Sequence, residues 1–170
     1  MSANQSLIAE VQHEAASTKK LLERVPAEHL GWKPHEKSMT LSRLASHISD
    51  LPEWIVFTIE QDELDFATAK FEPFVPSSAA DLVARHDANV SKALKSLENL
   101  TDEQMKEIWT LRSGDRIILQ QPKAVILRSM CLNHLVHHRG QLSVFLRLLN
   151  VPIPGMYGPS ADEMAAMAAS

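Results

Sequence analysis

The chain is poor in the residues that would assign it to several common classes. It holds one cysteine, Cys131, among 170 residues, so it can form no internal disulfide and is no disulfide-stapled secreted scaffold. The opening MSANQSLIAEVQHE lacks the basic-then-apolar order of a secretion signal, and a cytoplasmic location is expected. No apolar run approaches the ~18 residues of a membrane span, because charge interrupts every long one, so no membrane partner is expected. Lysine and arginine are scattered singly in a chain of net charge -4, without the basic stripe that binds phosphate backbones, so no nucleic-acid partner is expected. Glycine is scarce as well, with five in the whole chain. A sheet protein needs more turns than that supplies, and abundant Ala, Leu, Glu and Lys favour helices.

What is present reads as one all-α domain over residues 1–170, its 19.0 kDa enough for a single core. Apolar residues at Leu7, Ile8, Val11, Ala15, Leu21 and Leu22 place a first helix from Ser6 to Arg24, ended by Val25-Pro26. After Gly31 and Pro34, Leu41, Leu44, Ile48, Leu51, Ile55 and Ile59 mark a second helix. Pro52 lies inside it and predicts a kink close to His47. Residues 66–77, FATAKFEPFVPS, read as a connecting loop packed on the bundle. Ser77 or Ser78 then caps a third helix from about Ala79 to Leu100. Ile108–Leu111 and Ile117–Leu119, joined through Ser113-Gly114-Asp115, predict a small β-hairpin before the last long helix. Pro122 opens that helix, which extends to about Asn150 and is followed by a Pro/Gly-rich tail with a short helical end.

The last helix carries LNHLVHHRGQL. At about 100° per residue, with His134 at zero, His138 points to about +40°, Gln141 to about -20° and His137 to about -60°. The apolar set Leu127, Cys131, Leu142, Phe145 and Leu149 centres near +50°. His134 and His138 therefore face inward and His137 sits on the rim. On the second helix His47 falls within about 60° of Leu44 and Leu51. Each inward imidazole leaves a ring nitrogen needing a partner once water is excluded, and one metal ion satisfies all three. An i, i+4 histidine pair facing a ligand on another helix is a recurring metal-site design in bundles. The candidate ligands are His47, His134 and His138. Gln141 is a candidate to orient a ligand or bound water, and Asp50 to accept an imidazole proton, each weighed against an ordinary solvated role that is preferred for Asp50. His86 is a further inward histidine, and Cys131 reads as a small core hydrophobe.

The segment NHLVHHRGQLSVFLRLLNVPIPGMYGPSADE, with MTLSRLASHISDLPEW and GWKP upstream, resembles the DinB-like (DinB/YfiT) family across nearly the whole chain. The resemblance implies an antiparallel four-helix bundle with a long second-to-third crossover. It also implies a three-histidine centre at His47, His134 and His138 for one divalent ion, commonly nickel or zinc, and a homodimer. Relatives include transferases and isomerases that use low-molecular-weight thiols, presumed hydrolases, and proteins without assigned activity. Three neutral imidazoles leave positions where water or a thiol can be activated for attack on a small-molecule substrate. No Glu adjoins the motif as in HExxH, which favours thiol transfer over peptidase-like hydrolysis. His137 and Gln141 are the candidates for catalytic assistance. The alternative is a noncatalytic metal-binding or stress-response protein with a structural or vestigial site.

Overall fold

Leucine stripes at helical spacing need a facing surface to leave water. In the structure, a computed structural model describing residues 3–71 and 73–169, they find it in one another. The four helical segments are α1 (Ala3–Leu22); α2 (Leu41–Asp50) with α3 (Glu53–Glu60); α4 (Ala79–Glu98); and α5 (Lys123–Ile126) continuing through a π-helical stretch, Leu127–Asn133, into α6 (His134–Leu148). A short α7 (Ala161–Ala169) closes the chain. α1 lies against α4 and α6, and α2 lies against the same two, so α1 and α2 sit diagonally in the bundle. Lys19 meets Asp87 while Asn4 meets the Leu97 carbonyl, so α1 and α4 are antiparallel. His47 faces His134 while Thr58 faces Cys131, giving the same sense for α2–α3 against α6. Across the long crossover the chain returns so that α2–α3 and α4 run alike, with Asp50 on Arg85 and Glu60 on Ser96.

Leu21, Leu22, Leu41, Leu44, Ile48, Leu82, Leu142 and Leu146 form the main core. A second cluster around Val11, Ile55, Leu97, Leu127 and Cys131 continues it. Pro52 breaks the second helix as its chemistry requires. It has no N–H to give, α2 closes with Leu51 N donating to the His47 carbonyl, and α3 restarts with Pro52 as its N-terminal cap. Ser78, one of the two expected caps, accepts from Asp81 N while the Asp81 carboxylate accepts from Ser78 N, a reciprocal capping box.

The expected hairpin is present as β2 (Ile108–Ser113) and β3 (Arg116–Pro122), antiparallel from Ile108↔Pro122 to Ser113↔Arg116. Gly114 takes φ +58° in its two-residue turn, where a side chain would be strained. The sequence reading missed the third strand, β1 (Glu63–Asp65), which pairs parallel with β2 at Leu64↔Leu111. Three residues carry too little periodicity to mark a strand. What holds it is tertiary: Arg112 binds Glu63 and Asp65, and Gly114 N donates to Asp65 Oδ1. The crossover that follows leaves Phe66 and Phe71 exposed, while Phe74 packs on the main core.

The tail is tied down by α6. Arg139, 2% exposed, pairs with Glu14 of α1, also buried, and reaches the Tyr157 hydroxyl, which donates to Glu14 Oε2 at 2.9 Å. Arg147 holds Asp162, and Glu163 accepts from Gly155 N and Ser160 N. Gly155 is a size requirement: a Cβ there would sit 2.2 Å from the Gly158 carbonyl oxygen.

Removing Arg139 leaves the Glu14 carboxylate buried and uncompensated. Arg139→Ala is expected to cost about 3–5 kcal/mol, against about 1 kcal/mol for Tyr157→Phe, measured by urea unfolding. Equal small losses would mean that the pair contributes little to holding α1 on α6.

Candidate metal centre

Three histidines arrive at one point from two elements. His47 stands in the last turn of α2, just before the Pro52 break, and His134 opens α6 where the π-helical stretch ends. That stretch matters locally. His134 N donates to the Cys131 carbonyl, and the His134 ring takes the Met130 carbonyl instead, Nδ1 to O at 3.3 Å. His138 follows one turn later, its Nδ1 donating to Gln141 Oε1 at 2.7 Å. With both Nδ1 atoms committed as donors, the neutral rings present their Nε2 lone pairs inward.

Those Nε2 atoms converge. His134 Nε2 lies 2.8 Å from His138 Nε2 and 3.4 Å from His47 Nε2. One ligand atom from each of the three residues falls within 4.8 Å of the others. Metal–nitrogen bonds of about 2.0–2.1 Å, at angles between octahedral and tetrahedral, separate neighbouring donors by about 2.9–3.4 Å. The spacing therefore suits a single ion, and lone pairs this close repel unless a cation lies among them. Among the described residues no carboxylate or thiol joins the group.

Burial makes the rings reluctant to protonate. His47 is lowered from 6.5 to about 4, first by loss of water, then by the neighbouring His138 and His134 and by Arg43. His134 and His138 are lowered for the same leading reason, against the raising effect of their Met130 and Gln141 hydrogen bonds. Neutral imidazole is the metal-binding form.

The other candidates separate cleanly. His137 is exposed, its ring 4.8 Å from that of His138 but outside the group, as the rim position predicted. Gln141 does not take the simple solvated role: it fixes the His138 tautomer, the kind of outer support that orients metal-bound imidazoles. Asp50 binds Arg85 at 2.7 Å and no histidine. His86 is fully buried on α4, with Nε2 3.3 Å from the Ala15 carbonyl oxygen, apart from the three. Cys131 packs in the core beside Thr58 with its thiol pushed up to about 12 by burial. The sequence reading missed Arg139. Its place among buried core positions at about +140° on the helix wheel was the available signal, and a tethering role for arginine has no distinctive spacing.

The chain belongs to the DinB family, whose sequence profile matches residues 1–169. The uncharacterised YrdA of Bacillus subtilis strain 168 is similar at 29% identity over 158 residues, covering 91% of this chain and 87% of that one. YjoA of the same organism is 26% identical over 131 residues, 76% of this chain and 80% of that one. Among solved structures, a DinB-like protein from Bacillus cereus ATCC 10987 matches with a TM-score of 0.67 at 24% identity, covering 90% of this chain and 97% of that chain. The DinB-like YjoA structure matches at 0.68 and 22%, covering 89% and 97%. These likenesses establish a shared fold. Family membership and the three-histidine cluster are together compatible with metal binding. No helix of the described residues is long and apolar enough to cross a membrane.

The lowered histidines set an acid limit on the metal-free protein. In the unfolded chain they take up protons near 6.5, whereas folded His47 waits until about 4, and His86, His134 and His138 are also held below 6.5. Below 6.5 the unfolded state therefore binds more protons, so the stability conferred by neutral rings is present above that pH and lost as pH falls. The urea midpoint of metal-free protein should drop steadily from pH 7.5 to pH 5 at constant slope. A midpoint that stays level or rises would contradict the burial of these rings.

Proposed function

We propose that the protein holds one divalent transition-metal ion, nickel or zinc, through Nε2 of His47, His134 and His138. The ion would serve a metal-dependent reaction on a small-molecule substrate, S-transfer from a low-molecular-weight thiol or hydrolysis. The observation that carries this reading is the convergence of three Nε2 atoms while the Nδ1 atoms of His134 and His138 are engaged elsewhere. A divalent ion held there acts as a Lewis acid, lowering the pKa of a thiol or water that reaches it and polarising an electrophile.

The chain's own residues do the positioning. Gln141 holds the His138 ring and the Met130 carbonyl holds the His134 ring, so neither has to reorganise to bind. His137 is exposed beside His138, and the assisting role proposed for it rests on that position. The donor count favours an enzyme over the noncatalytic alternative, because a closed structural site takes four protein ligands and the described residues offer three. The sequence HLVHH supplies no glutamate at the HExxH position, which keeps thiol transfer ahead of hydrolysis.

His47→Ala, His134→Ala and His138→Ala are each expected to lose most of the bound metal in elemental analysis, with His137→Ala near wild type. Gln141→Ala should weaken affinity about 10- to 100-fold. If His137→Ala lost metal as fully as His138→Ala, the ligand assignment would be wrong. The chemistry is tested by offering metal-loaded and metal-stripped protein small thiols, glutathione and bacillithiol among them, with a chromogenic electrophile. Turnover should require both metal and His134; turnover unaffected by either would leave the noncatalytic reading. The homodimer implied by the family is checked by sedimentation equilibrium, which should give about twice the 19.0 kDa chain mass.

A further inference from the structure

Arg43 stands one helical turn before His47, about 40° from it around α2 and about 6 Å along the axis. It is exposed, where His47 is half-buried. Four arginines on the helices are committed: Arg85 to Asp50, Arg128 to Glu10, Arg139 to Glu14 and Arg147 to Asp162. Among the described residues no carboxylate pairs with Arg43, although its charge is felt at His47. The acidic residues that follow His47 are engaged, Asp50 by Arg85 and Glu53 by Arg85 and Lys92. The centre contains no carboxylate, so a divalent ion bound there keeps its full charge, with a free guanidinium one turn away. A neutral substrate would leave both positive charges uncompensated.

We infer that Arg43 is the anion-docking residue of this site. It binds the carboxylate of a small substrate whose metal-seeking atom, a thiol in the reading preferred above, reaches the three-histidine centre about three carbons away. The substrate class is thus a short thiol acid, or a larger thiol carrying a carboxylate at that spacing. Guanidinium is suited to this by its fixed fork of donors, which pairs with both carboxylate oxygens. The inference rests on the metal-binding reading.

The probes are 3-mercaptopropionate and 3-mercapto-1-propanol, equal in length and thiol and different in charge. Their binding is read from the visible absorption of cobalt(II)-loaded protein. Wild type should bind the acid about three- to tenfold more tightly than the alcohol. Arg43→Ala should erase that preference by weakening the acid alone, with cobalt content unchanged, and Arg43→Lys should keep part of it. Loss of both ligands equally, or a preference that survives Arg43→Ala, would overturn the assignment while leaving the metal centre intact. Failure of wild type to bind cobalt at all would overturn the metal reading and the docking role with it.

Discussion

Two hydrogen bonds govern the rest of the site. His134 gives Nδ1–H to the Met130 carbonyl and His138 gives Nδ1–H to Gln141, and the two Nε2 atoms are left facing each other at 2.8 Å, with His47 beside them. Each bond depends on the architecture around it. The Met130 carbonyl is available to a ring because the π-helical stretch before α6 sends the His134 N–H to Cys131 instead. Gln141 is available because it lies one turn after His138 on the same face. His47 reaches the pair because α2 packs directly on α6, and the helix then bends at Pro52.

The placement of α6 is a second constraint on the histidine group. Arg139, next to His138, is buried against Glu14 and Tyr157, so the residue after a candidate ligand ties the helix to α1 and to the tail. The most family-like motifs are explained together by this: Arg139 tethers, Gln141 orients, Tyr157 closes the tether, and Asp162 and Glu163 hold the turn that presents Tyr157. The rings of His134 and His138 are braced by uncharged groups, the Met130 carbonyl and the Gln141 amide.

Much of this was legible in the sequence. The apolar stripes of α1, α2 and α4 located those helices to within a few residues, and Ser78 and Pro52 marked a cap and a break by chemistry that does not depend on the fold. A uniform wheel on the last helix grouped His134 with His138 and set His137 apart, and it worked because the two pairs being compared lie C-terminal to the π-helical stretch. That stretch itself was invisible, since an extra residue per turn leaves no compositional mark. β1 was missed because three residues paired to a distant strand have only tertiary support. The helix wheel marked Gln141 as a candidate to orient a ligand or bound water, and only the fold shows which ring nitrogen it meets. Arg139 is another such case, its burial being sustained by α1 and a tail residue far away in sequence.

X-ray absorption at the metal edge of protein loaded with one equivalent of zinc tests the central claim most directly. The account predicts an imidazole pattern fitted by three nitrogen donors at about 2.0–2.1 Å plus a light oxygen or nitrogen donor from solvent. A sulfur shell near about 2.3 Å, which only Cys131 or a methionine can supply, or a fit with fewer than three imidazoles, would contradict it.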